Sequence, residues 1–271
     1  MQKGKISVQT ENIFPIIKKF LYSDQDIFLR ELVSNAVDAT TKVKTLASAG
    51  ELSGELGDLT IEIILDEAAK TLTIRDKGIG MDAEEVQKYL NQVAFSSAQE
   101  FLDKYKDEAG IIGHFGLGFY SAFMVAQRVD VVTKSHKSSS AGVTWSCEGD
   151  IEYTLEENDK EVRGTDIVLH INEESEEFLQ NGRVEELLNK YCKFLPVPIQ
   201  FGTRSETVEK GPAAEGEEAI QEEIEVPNII NNSHPAWKKT PTDLSEEDYK
   251  AFYKELYPFT PDPMFWIHLN I

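Results

Sequence analysis

The strongest pattern in the chain is helical. Over residues 27–46, Phe28, Leu29, Leu32, Val33, Ala36, Val37 and Val43 fall on one side of a 3.6-residue helix. Two short alternating runs follow, 59–65 with Ile61, Ile63 and Leu65, and 71–75 with Leu72 and Ile74, predicting two strands joined by a turn. Asp82 with Glu85, and Ser97 with Glu100, have the spacing of capping boxes opening short helices. Residues 129–133, 143–147, 151–155 and 165–171 read as further strands, and 184–195 as a helix closed by Pro196. Helical and strand patterns thus alternate through the first two hundred or so residues.

The pattern breaks after residue 205. Between 206 and 225 there are eight Glu and one Lys, mixed with Gly211, Pro212 and Gly216. Such a stretch buries little and reads either as a solvated linker or as a peripheral strand pair. Beyond it, Ser245 and Asp248 open another helix whose Tyr249, Phe252, Tyr253 and Leu256 share a face. Residues 265–271 alternate like a strand and carry no stop signal. The expected organisation is therefore a domain over 1–205, an acidic linker over 206–233, and the start of a second, truncated domain over 234–271.

Charge narrows the function. The 271 residues carry 27 Lys+Arg against 48 Asp+Glu, a net charge of −21. Neither nucleic acid nor an anionic membrane is expected as a partner, because both require a basic face. No apolar run reaches the roughly 18 residues of a membrane span. Cys147 and Cys192 lie far apart, with no metal-ligand spacing. A soluble, cytoplasmic protein is expected. If it handles a polyanion, it must do so without relying on lysines.

Three segments carry candidate chemistry. On the long helix Glu31, Asn35 and Asp38 form one stripe beside the apolar face. Asn and Asp are poor mid-helix residues, so the stripe reads as a solvated face or as an oxygen-ligand set for a Mg²⁺-bound anion. The run Asp76-Lys77-Gly78-Ile79-Gly80-Met81 follows a strand. It is a strand-to-helix turn, or a turn whose Asp76 accepts a hydrogen bond from the exocyclic amine of adenine, where guanine presents a carbonyl. The run Gly113-His114-Phe115-Gly116-Leu117-Gly118-Phe119 leads into a helix-like stretch ending at Ala126. It is a plain loop, or a set of backbone N–H groups that hold phosphate; it is neither a P-loop nor the dinucleotide fingerprint.

Together and in this order, the segments resemble the nucleotide site of the GHKL ATPase superfamily. The wording of 30–39, 76–81 and 112–121 is similar to the ninety-kilodalton heat-shock chaperones, in their bacterial form. Arg163-Gly164-Thr165 resembles the last nucleotide-site segment of that family, and residues 235–254 resemble the start of its middle domain.

The resemblance implies an α+β fold, a two-layer sandwich of a mostly antiparallel sheet covered by helices, and an ATP-dependent molecular chaperone, a homodimer acting on unfolded or partly folded clients. ATP or ADP and Mg²⁺ would be its cofactors. Glu31 would be the catalytic base toward the attacking water, and Asn35 the metal ligand. Asp76 would hold the adenine amine, with Thr165 helping through a water, and Gly80 and Met81 would line the base pocket. Asn91 would lie near the ribose and phosphates, and Gly116, Gly118 and Phe119 would present N–H groups to the phosphates. The resemblance also implies that a catalytic arginine and a dimerising domain lie outside residues 1–271, so hydrolysis by this chain alone would be very slow.

Three departures stand out. Where the family has Ala-Lys-Ser-Gly-Thr this chain has Ala94-Phe95-Ser96-Ser97-Ala98, which replaces a lysine by Phe95. His114 stands at the usual Gln, and the lid stretch 94–112 is short. Two rival functions are a phosphotransferase of the histidine-kinase type, which needs an upstream acceptor-His helix, and a peptide-binding scaffold with a vestigial site.

Overall fold

The computed structural model describes residues 24–52, 54–92, 96–105, 110–113, 116–150, 152–209 and 221–269. Phe95, His114, Phe115, Ile151, Asn270 and Ile271, on which parts of the sequence reading fall, lie outside them.

Among the described residues the strands form one eight-stranded sheet. In chain order they are β1 (Ile61–Asp66), β2 (Thr71–Asp76), β3 (Ala126–Lys134), β4 (Gly142–Cys147), β5 (Tyr153–Asn158), β6 (Gly164–Ile171), β7 (Ile199–Glu209) and β8 (Gln221–Ile229). Their spatial order is β5-β4-β3-β6-β2-β1-β7-β8. Every neighbouring pair is antiparallel except β1 with β7. One face is covered by α1 (Ile27–Ser48), α4 (Asn181–Tyr191) and two 3₁₀ segments, Gly118–Met124 and Glu173–Leu179. The expected α+β sandwich is what forms.

Alternation decides which side chains enter the core. In β2, Leu72, Ile74 and Asp76 are buried in turn while Thr71, Thr73 and Arg75 are not. Their neighbours on α1 are Phe28, Leu29, Leu32, Val33 and Val37, all fully buried. Burying side chains of this size contributes about 1.5–3 kcal/mol each. The same alternation carries the Asp76 carboxylate into the core layer.

Two of the three expected helix-opening pairs form as capping boxes. α2 (Ala83–Leu90) opens with the Asp82–Glu85 capping box, and α5 (Glu246–Leu256) with the Ser245–Asp248 box. The box expected at Ser97 and Glu100 does not form. Ser96 caps α3 (Ser97–Lys104) instead, its Oγ accepting from the Ala98 N–H, while Lys42 claims Ser97 and Lys88 claims Glu100.

The helix-like run after the glycines is a 3₁₀ segment of 7 residues, and Ala126 already belongs to β3. Tyr120 to Met124 are all buried between α1 and the sheet, so no polar face imposes the α-helical period. α4 ends at Tyr191, not Leu195; a turn from Leu195 N–H to the Cys192 carbonyl precedes Pro196. Much of the acidic stretch is strand: β7 and β8 pair antiparallel and extend the sheet past β1. Residues 265–269 form no strand.

Candidate functional site

The Asp76 end of the site is built from strand ends. Asp76 closes β2 opposite Thr165 of β6. One Asp76 oxygen accepts the Gly78 N–H at 2.8 Å. Burial pushes the carboxyl pKa up to about 7, with the N–H groups of Gly78 and Thr165 pulling it down and the charge of Asp166 adding to the rise. Beside it, Thr133 Oγ1 accepts from the Met81 N–H at 3.0 Å, donates to the Gly164 carbonyl at 3.2 Å, and lies 3.0 Å from Thr165 Oγ1.

The turn itself admits no side chains. A Cβ on Gly78 would stand 2.5 Å from the Ala39 backbone of α1, and one on Gly80, at φ +62°, would stand 1.8 Å from the Lys134 carbonyl oxygen. Two N–H bonds complete the frame, Ile79 to the Ala39 carbonyl and His136 to the Ile79 carbonyl. The result is a fixed carboxylate in an apolar wall, able to select a ligand by one hydrogen-bond donor.

The other end rests on α1 about 12 Å along its axis, where Gly118 faces Glu31. A Cβ on Gly118 would come within 2.6 Å of Glu31 Oε2, so glycine here lets the loop backbone lie against the carboxylate. Arg30 holds the other oxygen, Oε1, at 2.7 Å. The two oxygens of Asp38 accept the N–H groups of Ile112 and Gly113, each at 2.8 Å, and so position the glycine run. Gly116 turns the chain at φ +63°. Asn35 is left with an amide oxygen close to Gly113.

That donor set fits Mg²⁺. A single hard protein oxygen suits an ion that keeps waters and binds mainly phosphate, and among the described residues no cluster of His, Cys, Asp and Glu could hold a metal by itself.

A cavity of about 1020 Å³ joins the two ends. Glu31, Asn35, Asp76, Gly80, Met81, Gly116, Gly118, Phe119 and Thr165 all line it. Asn91 does not: its amide oxygen accepts from Trp145 Nε1 at 3.0 Å, and Tyr89 and Leu90 form the wall there.

The sequence reading missed Lys42. Its ammonium lines the cavity, donates to Ser97 Oγ at 2.6 Å, and has its pKa lowered by burial while Asp38 and Glu85 hold it up. A lysine thus lines this cavity, where the sequence reading counted on none. The signal was present, because residue 42 continues the stripe 31, 35, 38 by one more helical step.

A family model for the histidine kinase-, DNA gyrase B- and HSP90-like ATPases matches residues 23–178, which contain both ends of this cavity. The chain belongs to that family. A second model, for the Hsp90 protein, matches residues 203–271 of this ATPase-family chain. Its relatives include the chaperone protein HtpG of Porphyromonas gingivalis, 58% identical over 271 residues, and that of Bacteroides thetaiotaomicron, 58% identical over 272; each alignment covers 100% of this chain and 38% of the relative. The chaperone protein HtpG of Aliivibrio fischeri is 39% identical over 257 residues, covering 93% of this chain and 39% of its own. This ATPase-family chain thus spans 38% of the length of the first two relatives. Among the described residues no helix is long and apolar enough to cross a membrane.

Proposed function

We propose that the chain is the nucleotide-binding part of an ATP-dependent molecular chaperone, a cytoplasmic homodimer that acts on unfolded or partly folded proteins. It takes ATP or ADP with Mg²⁺ and carries the base for ATP hydrolysis. The carrying observation is Asp76, a buried carboxylate on the core face of β2, opening onto the same cavity as Glu31 and Asn35. The matches to the Hsp90 protein over 203–271 and to HtpG chaperones support the chaperone branch over a histidine kinase. A middle domain beginning at residue 234 belongs to the same reading; the division expected at 205 falls inside β7, which joins the sheet.

In this reading Asp76 accepts from the adenine amine, Thr165 supports it through a water, and Gly80 and Met81 hold the base plane. Gly116, Gly118 and Phe119 turn N–H groups toward the phosphates, with Lys42 as the nearby cation. Asn35 would hold Mg²⁺, which neutralises phosphate charge when bound. Glu31 orients and deprotonates the attacking water through Oε2, the oxygen that Arg30 leaves open. Asn91 enters only indirectly, by fixing Trp145 beside Phe119.

Calorimetric titration with ATP, ADP and GTP, with and without Mg²⁺, tests the proposal. Both adenine nucleotides should bind more tightly with Mg²⁺, and GTP should not bind. Equal affinity for GTP would remove Asp76 from base recognition.

A further inference from the structure

We propose that Thr133 sets the hydrogen-bond polarity of the Asp76 end of the cavity: it turns the Thr165 hydroxyl hydrogen into the wall, so that Thr165 shows a ligand only lone pairs. This rests on the nucleotide reading of the cavity and adds a specificity-determining residue to it.

Thr133, Thr165 and Asp76 stand in one row across β3, β6 and β2, with Thr133 opposite Thr165 and Thr165 opposite Asp76. Asp76 and Thr165 line the cavity, whereas Thr133 is fully buried behind them. Thr133 is therefore a positioning residue, acting on a ligand through its neighbours.

A hydroxyl holds one hydrogen and two lone pairs. The Met81 N–H, at 3.0 Å, can only donate and takes one lone pair of Thr133. The Gly164 carbonyl, at 3.2 Å, can only accept and takes the one hydrogen. What remains for Thr165, 3.0 Å away, is the second lone pair, so Thr165 is the donor between the two hydroxyls. The reverse arrangement would withdraw the hydrogen from the carbonyl and give it to an oxygen that already carries one.

The ionised Asp76 beside Thr165 offers acceptors alone. This end of the cavity thus presents two adjacent acceptors from paired strands. An amine satisfies both, giving one N–H to each, directly or through a water. A carbonyl in the same place finds no donor, and a site built to receive N–H groups rejects such an analogue strongly. With Asp76 alone, a carbonyl could still turn to the Thr165 O–H. Thr133 removes that option.

Calorimetry with the Mg²⁺ complexes of ADP and inosine diphosphate, which carry an amine and a carbonyl respectively at the purine 6-position, tests this. Thr133→Val matches threonine in outline and frees the Thr165 hydrogen to enter the cavity. The preference for ADP over inosine diphosphate should then fall by about tenfold. The ratio is the readout, because losing the Met81 partner weakens both nucleotides alike. Thr133→Ser keeps the hydroxyl and should keep the preference. In Thr165→Ala, where no hydroxyl is left to turn, adding Thr133→Val should change the ratio no further.

Neutron diffraction on the deuterated, unaltered chain reads the same point without a variant. Deuterium on Thr165 aimed at Thr133 supports the assignment, and deuterium aimed into the cavity overturns it. An unchanged ratio in Thr133→Val, while the unaltered chain discriminates, overturns the role of Thr133 alone. Equal affinities for the two nucleotides in the unaltered chain would instead remove Asp76 as the adenine acceptor, and the selective role of Thr133 with it.

Discussion

The two ends of the cavity are built differently. At the Asp76 end, Asp76 and Thr165 sit in paired strands, the hydroxyls of Thr133 and Thr165 are hydrogen-bonded, and Gly78 and Gly80 leave no room even for a methyl group. At the Glu31 end, Glu31 and Asn35 project from one helix toward a loop held by Asp38, and the closest approach, at Gly118, is to the free end of a side chain. In the proposed reading, recognition sits where the backbone cannot yield, and chemistry where side chains can adjust to a phosphate, a metal and a water.

The largest effect that would sharpen this contrast is on turnover. In the complete protein, Glu31→Gln should lower ATP hydrolysis by about 10²–10⁴-fold with little change in nucleotide affinity, read by steady-state assay and calorimetry together. Undiminished turnover would break the assignment.

A stability comparison comes next. Gly80→Ala meets a carbonyl oxygen at positive φ and should cost about 3 kcal/mol or more, lowering Tm on the order of 10 °C. Gly118→Ala meets only Glu31 Oε2, so its Tm should fall by no more than about a third as much. Equal losses in a thermal melt would show that both ends are equally rigid.

Asp76→Asn should lose about 1.5–3 kcal/mol of nucleotide binding, measured by calorimetry, while gaining stability at pH 8. The sign follows from the raised pKa. The protonated acid is favoured in the fold, so the stabilisation Asp76 lends is complete below its ordinary value near 3.8 and is lost as pH rises through about 7. An uncharged amide escapes that loss.

The same proton enters binding. Because the adenine amine needs the ionised acceptor, ADP affinity should weaken by up to about tenfold from pH 8 to pH 6, with proton release on binding at pH 6. A flat pH profile in Asp76→Asn, against a sloped one in the unaltered chain, would assign the effect.

The smallest effect concerns Asn91. Asn91→Ala strands the Trp145 N–H and should cost about 1–3 kcal/mol of stability without altering ADP affinity. A loss of affinity would return Asn91 to the ligand's immediate surroundings.

Much of the site was legible because local rules apply to it. Residue 76 is in phase with Leu72 and Ile74, so alternation alone carries its carboxylate inward. The helical stripe on α1 was equally readable, and it runs one step further, to Lys42, than charge considerations suggested. Thr133 gave no such sign: a threonine in a strand is ordinary until the strand beside it proves to carry Thr165.

The sequence by itself determined the amphipathic helix, the inward phase of β2, the capping boxes at Asp82 and Ser245, and the family. All of these depend on neighbours within a few residues, where spacing dictates which side is buried or which N–H is capped. Only the tertiary structure decided which polar groups remained available. Asp38 went to the glycine-run amides, Asn91 to Trp145, Ser97 to Lys42, and much of the acidic stretch to the sheet edge as β7 and β8. Each of these is a contest for hydrogen-bond partners between segments far apart in the chain, settled when burial removes water as the alternative.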